Sequence, residues 1–256
     1  MVSLFEALFL GIVQGITEWL PVSSSGHLVI FQELFNIKAP VVFDLMLHIG
    51  SLFVVILIFW KDIIRILSSV FNHDKEGKKL LLLLAFATIV TAIIGFLFKD
   101  FFESLFTNLF VAGISFIATA ILLLSVNLIK TNKRKSMNML DAFLIGLMQG
   151  VSIIPAVSRS GATISTALLR GVDRELAVRF SFLLFMPAII GATILEFKEF
   201  ASAEIMLLPM IVGLITSMIV SYISIKFLIK IVKTHMFYLF GYYCLAVGIA
   251  ILLYVL

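Results

Sequence analysis

Residues 6–26 read EALFLGIVQGITEWLPVSSSG, and residues 141–161 read DAFLIGLMQGVSIIPAVSRSG. Superposed at an offset of 135 they align without a gap, and eight of twenty-one positions are identical: Ala7/Ala142, Gly11/Gly146, Gln14/Gln149, Gly15/Gly150, Val22/Val157, Ser23/Ser158, Ser25/Ser160 and Gly26/Gly161. Glu6/Asp141 and Thr17/Ser152 are conservative pairs. Chance similarity among apolar residues does not bring Gln-Gly and Ser-x-Ser-Gly into register, so the chain reads as a duplicated unit with halves at about 1–130 and 136–256. Each copy opens with an apolar helix interrupted by proline and a Ser/Gly cluster, and breaks are expected at 21–26 and 155–161. A second short helix, ending near Phe35 or Arg170, then lets each pair dip into an apolar phase and return to the same side. Backbone freed at such a break persists only where protein or a wet cavity satisfies it.

The composition names that phase. With 62% hydrophobic and 13% charged residues and a mean hydropathy of +1.18, the chain needs lipid as its solvent. Apolar runs long enough for a crossing of about 20 residues recur at 43–60, 80–98, 109–129, 176–195, 205–225 and 236–256. The expected fold is an all-α integral membrane protein with six transmembrane helices and two re-entrant helical hairpins in two inverted repeats. One hairpin and three crossings per copy is an odd number of crossings, which makes the second copy enter from the opposite face.

The basic residues test this arrangement. Fourteen of the nineteen lysines and arginines fall on one side, from Lys61 to Lys233, against Lys38, Lys99 and Lys198 on the other. Arg159 and Arg179 lie within membrane segments in this scheme. Both termini are therefore expected to face outward and the basic loops the cytoplasm. Met1 to Glu6 lack the basic stretch and cleavage site of a signal peptide, so the N-terminus is expected to stay in the fold. The lone Cys244 offers neither an internal disulfide nor a cysteine metal cluster, and reads as a buried small hydrophobe. The net charge of +4 sets orientation in this reading, with no nucleic acid as partner.

Chemistry-bearing residues gather at the two breaks. Gln14 and Glu18, four apart, share one helix face, and a carboxylate inside a membrane segment suggests function, its alternative being a structural ion pair. Ser23, Ser24, Ser25 and Gly26 supply hydroxyls and amides at a helix start, which serve either an anion or a cap. His27 is a base, acid or phosphate donor, or else hydrogen-bonded packing. In the second break Arg159 replaces the middle serine between Ser158 and Ser160, followed by Gly161 and Thr163. A guanidinium there clamps a phosphate, with an ion pair to Glu18 as the alternative. Asp44 and His48, four apart, either line a cavity entrance or pair structurally.

Gln14-x-x-x-Glu18, Pro21-x-Ser-Ser-x-Gly26-His27 and Pro155-x-x-Ser158-Arg159-Ser160-Gly161-Ala-Thr163 together resemble the signatures of the undecaprenyl-diphosphate phosphatase family of the bacitracin-resistance type, over essentially the whole chain. The resemblance implies removal of the terminal phosphate of a polyprenyl diphosphate lipid at the outer face of the plasma membrane, recycling the carrier lipid of cell-envelope glycan synthesis. It makes Ser24 the nucleophile, with His27 as its base, as acid for the leaving group, or as the nucleophile itself. In that resemblance Arg159 binds phosphate and Ser23, Ser158, Ser160 and Thr163 line the site; Ser25, Gly26 and Gly161 are expected to bind the phosphate with them. A divalent metal ion, Mg²⁺ or Ca²⁺, is expected on Glu18 with help from Gln14, more weakly than between two carboxylates. Ala156 departs from the family's usual glycine. A second class of membrane lipid phosphatase, which carries an Arg-Pro dipeptide, does not fit, because the chain has none. The competing reading from another class is a transporter or flippase of the polyprenyl phosphate, whose folds also use inverted repeats with broken helices. It would need Arg159 but neither nucleophile nor metal.

Overall fold

The computed structural model describes residues 2–106, 108–128, 134–195 and 207–256. Lys130, Lys133 and Lys198, three of the lysines that bear on orientation, and the ends of two apolar runs lie outside them. The described chain is helical: α1 (Leu4–Thr17), α2 (Ser24–Leu34), α3 (Val41–Ile58), α4 (Trp60–Ser68), α5 (Lys75–Leu97), α6 (Lys99–Leu105), α7 (Leu109–Ser125), α8 (Met139–Val151), α9 (Arg159–Leu169), α10 (Arg174–Leu195), α11 (Leu207–Lys233) and α12 (Leu239–Val255). Among the described residues, five helices are long and apolar enough to cross a membrane: α3, α5, α7 with the 3₁₀ turn after it, α10 and α11. The chain is a multi-pass membrane protein, and Phe71, Phe96 and Leu82 are among the many large apolar side chains on its outer surface. The sixth expected crossing, at 236–256, is the 17-residue α12, about 25 Å of helix at 1.5 Å per residue.

Several helix ends differ from the apolar runs for a local reason. α5 begins at Lys75, well before the run at 80, because Asp74 caps it by accepting from the Gly77 amide at 2.9 Å. α11 continues past 225 through Lys226, Lys230 and Lys233, since lysine is a good helix former whether or not lipid surrounds it.

The breaks fall at 18–23 and 152–158, three residues earlier than expected. Proline lacks the amide that would bond the carbonyl four residues back and its ring crowds that carbonyl. The residues four before Pro21 and Pro155 are Thr17 and Val151, where α1 and α8 stop. Ser23 and Ser158 then cap the next helices, their hydroxyls accepting from Gly26 and Gly161 amides at 3.3 and 3.0 Å. Ser24 and Arg159, expected within the breaks, are thus first-turn helical residues.

The two aligned segments also correspond in capping and packing. α1 and α8 share a capping box, built from Ser3 with Glu6 and from Asn138 with Asp141. α1 packs on α11 of the other half, and α8 packs on α5 of the first; α3 and α11 touch, as do α10 and α5, and α7 lies along α12. Exchanging the two halves maps this pairing onto itself. The aligned glycines Gly11 and Gly146 let the helices come close, as small residues do in membranes. A Cβ on Gly11 would stand 2.7 Å from the Gly213 carbonyl oxygen, and one on Gly146 would stand 2.5 Å from that of Ala87.

The second half is also tied at the ends of its hairpin. Asp141 is buried and accepts two bonds from Arg134, at 2.8 and 2.9 Å, and one from Arg170 at 3.0 Å. Arg179 pairs with Asp62, fastening α10 to α4.

Candidate active site

The two hairpin tips meet inside the helix bundle. A Cβ on Gly26 would lie 2.8 Å from that of Ala156 and 2.7 Å from the Phe116 ring, so only glycine lets the tips close. Ser25 Oγ accepts from the Ala156 amide at 3.4 Å, and Ser160 Oγ donates to the Leu20 carbonyl at 3.3 Å. Ala156 has φ +65°, a left-handed conformation that favours glycine; its departure from the expected glycine therefore falls where backbone freedom matters.

Glu18 is the hub of this junction and is buried. Its Oε1 accepts from Arg159 Nη2 at 2.6 Å across the tips. Its Oε2 accepts from Ser24 Oγ at 2.6 Å and from Gln14 Nε2 at 3.0 Å. His48 of α3 adds a contact, with Nε2 3.4 Å from Oε2. The structure thus gathers Gln14, Glu18, Ser24 and Arg159 around one carboxylate, and chooses His48 as a wall of the site, while Asp44 holds His48 Nδ1 through its carbonyl at 2.8 Å.

Arg159 is positioned by aromatic rings as well as by charge. Its guanidinium carbon stands 4.2 Å from the Phe185 ring centre and 5.6 Å from that of Trp19. Trp19 and Phe185 pack edge to face at 5.1 Å. Such contacts desolvate the cation while keeping its plane fixed.

Three polar atoms here are buried and have no partner among the described residues: Arg159 Nη1, Gln14 Oε1 and Trp19 Nε1. Leaving a buried donor or acceptor unmatched costs roughly 1–3 kcal/mol each, more for a charged group. A positive donor and a neutral acceptor oxygen on either side of Glu18 are the groups an anion and a cation would satisfy.

The remaining candidates are engaged in construction. Ser23 and Ser158 are caps, Ser25 and Ser160 cross-link the tips, and Gly161 packs near Pro21. Thr163 Oγ1 lies 2.9 Å from the Arg159 carbonyl, to which it donates, and 2.6 Å from Ser181 Oγ, tying α9 to α10. His27 faces away from Ser24. Its Nδ1 donates to the Ser23 carbonyl at 2.7 Å and its Nε2 meets the Tyr243 hydroxyl at 2.7 Å, so neither nitrogen is bonded to Ser24. Cys244 is buried as expected, its thiol 3.5 Å from the Pro21 carbonyl. Phe185 and Tyr243 escaped the sequence reading because nothing local marks an aromatic residue that meets its partner from another helix.

Against known proteins, residues 7–250 match the family model described as bacitracin resistance protein BacA. The chain is 43% identical to the undecaprenyl-diphosphatase of Carboxydothermus hydrogenoformans, covering 97% of this chain and 96% of that one. It is 42% identical to the undecaprenyl-diphosphatase of Halothermothrix orenii, over 98% of each chain. The protein of the same name from Methanosphaera stadtmanae is 37% identical over 97% of each.

Proposed function

The chain belongs to the bacitracin resistance protein BacA family, and from that membership we propose that it is an undecaprenyl-diphosphatase, a membrane hydrolase converting undecaprenyl diphosphate to the monophosphate and inorganic phosphate. The observation that carries the reading is the buried Glu18, holding Ser24 Oγ and Arg159 Nη2 each at 2.6 Å, beside the unpartnered Arg159 Nη1.

In this mechanism the terminal phosphate lies on Arg159 Nη1 and on those first-turn amides of α2 and α9 that are not taken by the Ser23 and Ser158 caps. Ser24 Oγ attacks the terminal phosphorus as its proton passes to Glu18 Oε2. The bond from that phosphorus to the bridging oxygen breaks, and the polyprenyl monophosphate leaves as an anion that needs no proton. Water then attacks the phosphoserine while the protonated Glu18 returns its proton to the departing Ser24 Oγ, and the water's own protons leave with the inorganic phosphate. Arg159 offsets the charge on the equatorial oxygens in both steps. Geometry supports Glu18, rather than His27, as the acceptor of the Ser24 proton.

The donors suit a hard divalent cation. Gln14 Oε1 is unpartnered and Glu18 supplies carboxylate oxygen, while no group of three His, Cys, Asp or Glu capable of holding a metal occurs among the described residues. Gln14 and Glu18 would hold Mg²⁺ or Ca²⁺, which would neutralise part of the diphosphate charge. A transporter would use Arg159, but the Ser24–Glu18 hydrogen bond favours hydrolysis.

For the finer architecture we infer two inverted repeats of three crossings and one re-entrant hairpin each, with α12 as the sixth crossing. The exchange symmetry of the helix pairing supports the repeat, and the basic-residue asymmetry supports termini and site opening at the outer face of the plasma membrane. Phosphate release from a C15 or C55 polyprenyl diphosphate by detergent-purified protein, with and without chelator, tests the function. Release abolished in Arg159→Ala is the expected result. A folded wild-type protein that releases none would overturn it.

A further inference from the structure

Among the described residues, Ser23 is the helix N-cap that has a left-handed backbone. It has φ +68° and ψ +107°, outside the conformations that side-chain-bearing residues favour. Its counterpart in the second half, Ser158, makes the same cap to a glycine three residues on, with an ordinary φ of −72° and ψ of +115°. Capping therefore does not require the strain. The two positions differ one helical turn onward, where the first half carries His27 and the second Ala162.

His27 is buried and each of its nitrogens is assigned a task. A carbonyl only accepts, so Nδ1 carries hydrogen and donates to Ser23 at 2.7 Å, and in the neutral ring Nε2 accepts from the Tyr243 hydroxyl at 2.7 Å. The Tyr243 ring stacks on the imidazole at 5.7 Å and 8°, and Phe116 meets its side edge-on at 5.3 Å. The next residue along α12, Cys244, contacts the Pro21 carbonyl of the same turn. Ser24, one residue beyond the strained position, is the one that reaches Glu18 at 2.6 Å.

We propose that His27 is a positioning residue: held by Tyr243, its Nδ1–H clamps the Ser23 carbonyl in the left-handed conformation and thereby aims Ser24 Oγ at Glu18. The clamp rests on the phosphatase reading only for its consequence in catalysis; the strained turn and its restraint exist without substrate. At the counterpart position in the second half, Ser158, which precedes Arg159 instead of a hydroxyl, there is neither a left-handed backbone nor a histidine clamp.

The test uses the full-length protein in detergent, with phosphate release from a C15 diphosphate and the thermal unfolding temperature measured side by side. His27→Ala is expected to lower kcat about 10²-fold or more with KM changed less than threefold. His27→Asn places an amide N–H near the Nδ1 position and is expected to recover kcat to within about tenfold of wild type. Tyr243→Phe, which frees the Nε2 side, is expected to lower kcat several-fold. The decisive variant adds Ser23→Gly to His27→Ala: glycine adopts the conformation without a clamp, so both kcat and the unfolding temperature should rise above those of His27→Ala alone. A double variant no better than His27→Ala in either measurement overturns the proposal, as does His27→Asn as inactive as His27→Ala. Wild-type protein without phosphatase activity would overturn the function and leave the unfolding temperatures to decide the clamp.

Discussion

At Glu18 a guanidinium, an imidazole and a hydroxyl meet one buried carboxylate, and the balance fixes what substitutions do. Removing Arg159 leaves Glu18 without its 2.6 Å partner, and an uncompensated buried charge destabilises by about 3–5 kcal/mol. Arg159→Ala is thus expected to lower the unfolding temperature as well as activity. Arg159→Lys keeps the charge but loses the plane that faces Phe185 and the second, unpartnered donor. Its kcat is expected to fall on the order of 10²-fold with stability largely retained, which parallel kinetic and thermal assays would show. Glu18→Gln keeps the shape but accepts no proton from Ser24, and a kcat loss on the order of 10³ is expected. A Glu18→Gln protein with near-normal kcat would remove Glu18 as the acceptor.

The elements are held by close backbone approach more than by large side chains. Gly146→Ala places a methyl 2.5 Å from the Ala87 carbonyl oxygen, a backbone atom that cannot turn aside. A cost of about 1–3 kcal/mol is expected from overpacking of this kind, read as a lower unfolding temperature. Gly191→Ala in α10 is the control, since nothing lies within 4 Å of the added methyl, and it is expected to be neutral or slightly stabilising. At the start of α5 the Arg65 hydrogen bond, with help from the Gly77 amide, draws the Asp74 carboxyl down to about 2 from its ordinary 3.8. A depressed acid stabilises the fold above its unfolded pKa and loses that contribution as pH falls from about 4 through 2. Asp74→Asn should therefore show a smaller drop of unfolding temperature across that interval than wild type.

For the whole molecule, the inferred orientation places Lys38 and Lys78 on opposite faces of the membrane. Cys244 is fully buried, so single cysteines introduced at the two lysines supply the only accessible thiols among the described residues. Lys38→Cys in intact cells is expected to react with a membrane-impermeant maleimide, and Lys78→Cys only after the membrane is opened; the reverse pattern would invert the topology. The sequence by itself determined the membrane class, the two breaks and the residues at them, because hydropathy, proline and capping act within a few residues of chain. It placed the breaks three residues late, since it weighed Pro21 and Pro155 as starting points when proline acts on the carbonyl four residues before it. Only the tertiary structure decided which candidates meet. Arg159 reaches Glu18 across 141 residues and Tyr243 reaches His27 across 216. Those partners are set by how helices from two halves pack, which no local pattern along the chain records.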